Sequence, residues 1–83
     1  MTDSEIEREV IDAIARVTGM DATMLGDEVD LREDLGFDSL TGLRVVAALE
    51  KHFDVILPNE ELDRCRTVGA AVAAFKARLD QRG

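Results

Sequence analysis

The sequence predicts an all-α fold: a small four-helix bundle of three main helices and one short one, with a long ordered loop between helices one and two. Three observations predict it. Apolar residues recur at steps of three and four in three separate runs, each the stripe of an amphipathic helix. The one short apolar run that reads as a strand, Asp54 to Leu57, has no second strand to pair with. With 83 residues and no repeat, low-complexity tract or linker, the chain reads as one domain, 1–83, near the lower end of what buries its own core.

Helix one follows from Ile6, Val10, Ile14 and Val17, with Ala13 beside them and charged residues on the other face. Thr2 with Glu5, or Ser4 with Glu7, has the spacing of a capping box, and Gly19 stands where the helix should stop. From Gly19 to Asp38 the period disappears, although Met20, Met24, Leu25, Val29, Leu31 and Leu35 keep appearing. A loop of that length in a small domain needs anchors, and these side chains are expected to pin it to the helices. Asp30-Leu31-Arg32-Glu33 has the cap spacing for one short helical turn.

Helix two begins at Ser39, with Leu40, Leu43, Val46, Ala47, Leu49 and Phe53 read as one broad apolar face. Gly42 inside it points to close packing or to a partner's approach. Pro58 and Asn59 mark a turn or helix start, Glu60 to Cys65 is long enough for the short helix, and Thr67 caps the last. That last helix carries Val68, Ala71, Val72, Phe75 and Leu79 on its apolar positions.

A net charge of −8 argues against nucleic acid and against anionic membrane surfaces, so a charged partner should present a basic patch. The acid is concentrated at one end: residues 1–38 hold twelve acidic and three basic side chains, residues 64–83 one and five. A single cysteine excludes an internal disulfide and fits a reducing, cytoplasmic compartment. No leading basic-then-apolar segment and no long uncharged apolar run occur, so no membrane association is expected. Met1 and the polar tail DQRG read as the ends of a free-standing protein. No extra apolar stripe is left over for an oligomer, so a monomer is expected.

Catalytic constellations fail. Ser39 and His52 lie thirteen residues apart on one predicted helix, roughly 20 Å by its rise, too far for a Ser-His-Asp arrangement with Asp38. His52 reads as a solvent-facing helix residue and Cys65 as core filler, although two flanking arginines would also suit a reactive thiolate. Asp27, Glu28, Asp30, Glu33 and Asp34 lack the ligand alternation, central glycine and final glutamate of a calcium loop. Ser39 remains. A serine at a helix start is ordinarily a cap, but Asp38 is available for that role, which leaves the hydroxyl clear at a position suited to an anionic adduct. The residues alone permit attachment there without requiring it.

The segment Asp34-Leu35-Gly36-Phe37-Asp38-Ser39-Leu40 resembles the phosphopantetheine attachment motif of acyl carrier proteins, an Asp-Ser-Leu core after a leucine-glycine pair. Ala48-Leu49-Glu50, Phe53-Asp54, Leu57-Pro58 with Glu60-Glu61, and Thr67-Val68 before an alanine-rich helix resemble the family in order and spacing. The leading helix and acidic loop fit as well, so the resemblance covers nearly the whole chain. It implies that Ser39 receives 4′-phosphopantetheine from coenzyme A through a separate phosphopantetheinyl transferase, with Asp38 and Leu40 framing the serine. The arm thiol would hold acyl groups as thioesters for acyl-loading and acyl-processing enzymes. The chain itself would be a carrier with no catalytic residue and no metal.

Helix two and the loop before it would form the docking surface, which assigns Asp34, Phe37, Leu40, Arg44, Val45, Ala47, Glu50, Glu60 and Glu61 to partner contact. Carriers of fatty acid synthesis usually show several acids along helix two. Here that helix holds Thr41, Gly42, Arg44 and Lys51, with Glu50 its one clear acid, which points to polyketide or another natural-product pathway. Alternatives of the sequence reading are an aminoacyl or peptidyl carrier, and a small helical interaction domain with no prosthetic group.

Overall fold

The computed structural model describes residues 2–82, with side chains described through 81. Met1 and Gly83 lie outside the described residues, and the reading of the chain ends lies there with them. Four α-helices run in the order α1 (Asp3–Thr18), α2 (Ser39–Phe53), α3 (Asn59–Leu62) and α4 (Val68–Arg82). α1 packs against both α2 and α4.

The three long helices start on side-chain caps, and α1 and α2 stop at left-handed residues. Thr2 caps α1 by accepting from the Glu5 N–H at 3.2 Å, and its hydroxyl donates to the Glu5 carboxylate at 3.2 Å. Of the two expected pairs it is Thr2 with Glu5 that meets, without the return bond to the Thr2 N–H that completes a capping box. Gly19 ends α1 with φ at +75°, a left-handed conformation that glycine adopts without a Cβ clash. Thr67 Oγ1 accepts from the Ala70 N–H at 3.1 Å and begins α4 as expected. α3 begins one residue earlier than the sequence indicates and stops at Leu62. There the Arg64 and Cys65 amides bond three residues back, to Glu61 and Leu62, tightening the chain into a turn.

The core is drawn from every part of the chain. Ile6, Val10, Ala13 and Ile14 come from α1, Val45, Leu49 and Phe53 from α2, and Val68, Ala71, Ala74 and Phe75 from α4, with Leu25, Leu31 and Leu57 from the connections. The Phe53 and Phe75 rings meet at 5.8 Å between centroids.

α2 presents a different face from the one its periodicity indicates. Leu40 and Leu43 are 65% and 56% exposed, and Ala47 is exposed too, whereas Val45 is buried. The helix carries two overlapping apolar stripes, and packing on α1 and α4 selects the one through Val45, Leu49 and Phe53.

The loop before α2 is ordered by backbone pairing as much as by side chains. Leu31 N donates to Arg66 O at 2.8 Å, Val68 N to Val29 O at 3.0 Å and Gly69 N to Asp27 O at 3.0 Å, with a β-bridge between Asp30 and Thr67. These bonds tie the loop to the start of α4. Leu25 and Leu31 are buried as anchors, but Met24 is 64% exposed and anchors nothing. It sits in a 3-10 turn, Ala22–Met24, which the sequence reading did not include. Asp21 caps that turn through the Thr23 N–H at 2.9 Å.

Candidate functional site

Gly36 explains how the chain enters α2. Asp30 accepts from the amides of Arg32 and Glu33 at 2.9 and 2.8 Å, and Asp34 returns a carboxylate to the Asp30 N–H at 2.8 Å, which closes the turn over 31–35. The turn ends as helices often do: Phe37 N reaches Leu31 O at 2.9 Å and Gly36 N reaches Arg32 O at 3.0 Å, with Gly36 at φ +68°. A residue with a Cβ would be strained there. Phe37 then turns inward against the core, and Asp38 and Ser39 follow at the helix entrance.

Asp38 takes the capping role. Its Oδ1 accepts from the Thr41 N–H at 2.8 Å, and that bond holds its carboxyl below the ordinary carboxylate range. Ser39 is exposed as the first residue of α2, and its hydroxyl enters no hydrogen bond among the described residues. The division of labour read from the sequence is therefore present: the aspartate caps, and the serine oxygen stands clear at the positive end of the α2 dipole.

Beside Ser39 opens a cavity of about 260 Å³. Its exposed lining residues, Arg32, Asp38, Ser39, Leu43 and Asp63, define the mouth. Its buried ones, Ile14, Leu31, Val45, Leu49, Ala71 and Phe75, form an apolar floor that reaches into the core. A hydroxyl at a helix N-terminus suits a phosphoester, and an apolar cleft leading from it suits a chain hung on that ester. The residues present fit a 4′-phosphopantetheine arm.

The expected docking residues divide. Leu40, Arg44 and Ala47 are exposed on one face of α2 together with Leu43, at the i, i+3, i+4, i+7 spacing of a single helical stripe. Leu43 was assigned to the core by periodicity, although that same spacing marks it as part of this outer stripe. Val45 is 5% exposed and cannot meet a partner; it belongs to the core. Glu50 is half-buried, and its carboxylate accepts from the Leu57 N–H at 2.7 Å, which holds the segment after α2 in place. Asp34 is exposed with one carboxylate oxygen engaged as above. Phe37 is half-buried in the cavity wall. Glu60 is exposed, while Glu61 is half-buried and 3.9 Å from Arg64.

The residues set aside stay aside. His52 bonds Glu9 at 3.2 Å across α1 and α2, on an exposed surface. Cys65 is half-buried in the cavity wall, its Sγ 3.3 Å from the Glu61 carbonyl, and burial followed by the Glu61 charge pushes its thiol up. The flanking arginines do not activate it, because Arg64 and Arg66 pair with Glu61 and Asp30. Among the described residues no cluster of three or more His, Cys, Asp and Glu side chains could hold a metal ion, and no helix is long and apolar enough to cross a membrane.

Comparison with known proteins agrees with this geometry. The family model described as a phosphopantetheine attachment site matches residues 8–75. An acyl carrier protein of Clostridium acetobutylicum is 38% identical over 73 residues, covering 88% of this chain and 95% of that protein. One of Exiguobacterium sp. is 34% identical over 79 residues, covering 95% of this chain and 100% of the relative. The solved acyl carrier protein of Enterococcus faecalis superposes with a TM-score of 0.79 at 28% identity, over 94% of this chain and 99% of that one. The chain therefore belongs to the acyl carrier protein family, whose members bear a covalent 4′-phosphopantetheine and are carriers, not enzymes.

Proposed function

We propose that Ser39 is the attachment point and that this chain, 1–83 acting as one carrier domain, delivers acyl thioesters within polyketide or another natural-product biosynthesis. The observation that carries the first half is the unbonded, exposed Ser39 hydroxyl, freed by Asp38 and set at the mouth of an apolar cavity. When bound, the arm supplies a terminal thiol that holds the acyl group as a thioester on a tether, raising its effective concentration at each partner's active site. Family membership implies a phosphopantetheinyl transferase and acyl-processing enzymes as partners.

The pathway half rests on the outer face of α2. Leu40, Leu43, Ala47 and Ala48 make it apolar, Arg44 and Lys51 make it weakly basic, and Glu50 faces its own chain. The acids lie in the segments before and after this helix instead of along its outer face, from Asp27 to Asp38 and at Glu60, Glu61 and Asp63. Partners steered by an acidic helix would find little purchase here.

Intact-mass spectrometry after incubation with coenzyme A, magnesium and a broad-specificity transferase tests the attachment. The protein should gain the mass of one arm and the Ser39→Ala variant should gain none; an unmodified wild type would sink the carrier role. For the pathway, Arg44→Glu should improve reaction with fatty acid synthase enzymes that dock acidic carriers. Unchanged reactivity removes the support for a specialised partner set.

A further inference from the structure

The exposed lining of the cavity includes one cation, Arg32, and two acids, Asp38 and Asp63. Its backbone is fixed in the turn before α2: the Arg32 N–H donates to Asp30 Oδ1 at 2.9 Å, and its carbonyl accepts from Gly36 at 3.0 Å. The side chain is exposed, and its guanidinium enters no ion pair or hydrogen bond among the described residues. Arg64 and Arg66 pair with carboxylates and Arg78 donates to the Ile56 carbonyl and to Gln81, whereas Arg8, Arg16 and Arg44 resemble Arg32 in having no such partner among the described residues. What sets Arg32 apart is that it lines the same cavity as Ser39. Arg32 is thus, among the described residues, the one cationic side chain lining the cavity beside Ser39, and its guanidinium is available there. Asp38 is already engaged with the Thr41 amide. An anion on Ser39 Oγ would join the same cavity mouth.

We infer that Arg32 is a positioning residue for the arm: its guanidinium pairs with the phosphodiester on Ser39 and turns the arm across the cavity mouth instead of into solvent. This inference rests on Ser39 being the attachment point. A diester oxygen pair matches the forked donors of a guanidinium, which a lysine ammonium replaces in charge but not in geometry. Asp63 lines the same cavity and would compete for that guanidinium.

The test uses the arm-bearing protein in a Cys65→Ser background, so that the arm thiol is the one thiol present. The readouts are the phosphorus NMR resonance of the diester and the rate at which a bulky maleimide alkylates the arm. Arg32→Gln should shift the resonance and speed alkylation about two- to fivefold, the scale of an exposed ion pair. The same acceleration should appear in the parent protein at high salt. Arg32→Lys should fall between the two, and Asp63→Asn should slow alkylation. If Arg32→Gln takes up the arm but leaves both resonance and rate unchanged, the positioning role is wrong while the carrier reading stands. If the parent protein takes up no arm, both fall together.

Discussion

Replacing Leu49 by alanine and, separately, Leu43 by alanine separates the two faces of α2. The positions lie six residues apart, about 120° around the helix. Leu49 is 2% exposed and belongs to the core, whereas Leu43 is 56% exposed at the cavity mouth. Removing a buried leucine side chain costs about 2–5 kcal/mol, because the loss of transfer free energy adds to that of the cavity left behind. A domain of this length has a total stability of roughly 4–12 kcal/mol, so Leu49→Ala removes a large part of it. At about 4–8 °C per kcal/mol, its melting temperature should fall by roughly 8–40 °C. Leu43→Ala should change stability by no more than about 0.5 kcal/mol. Thermal and urea unfolding followed by far-UV circular dichroism measures both. Equal losses for the two variants would refute the orientation of α2, and with it the exposed stripe on which the docking surface depends.

Three further outcomes are expected. Asp38 and Asp30 have carboxyls held below the ordinary range, Asp38 chiefly by the Thr41 amide and Asp30 chiefly by the Glu33 amide. Their contribution to stability is complete above the ordinary carboxylate range and is lost as pH falls through the depressed folded values. Asp30→Asn should therefore flatten the acid limb of an unfolding curve, and an unaltered limb would exclude the linkage. Gly69→Ala places a Cβ 3.2 Å from both Cβ and O of Asp27, so overpacking should outweigh the gain in helix propensity and lower stability on the order of 1 kcal/mol. An unchanged melt would show that the loop yields. The raised Cys65 thiol should react slowly with a disulfide reagent at neutral pH in the folded apo-protein and much faster in urea, and equal rates would contradict its burial.

Local chemistry made much of the architecture legible. Thr2, Gly19, Asp38 and Thr67 bound their helices as their side chains dictate, because a cap depends on residues three or four positions away. The same locality exposed the site: an aspartate next to a serine at a helix start settles which of them caps. What lay beyond the sequence depends on neighbours distant along the chain. Periodicity on α2 offers two apolar stripes, and the choice of Val45 over Leu40 and Leu43 for the core is made by α1 and α4. Likewise, nothing near Glu50 foretells that its carboxylate holds the Leu57 amide, seven residues on. The loop's pairing with the start of α4 spans more than thirty residues, as in the Arg66–Asp30 contact at 3.0 Å. The sequence alone determined where the three long helices are capped and which hydroxyl stands free, since those are settled within one turn of chain. Tertiary structure alone decided which faces meet, and so the cavity beside Ser39 and the ridge outside it, because burial is shared among all the helices at once.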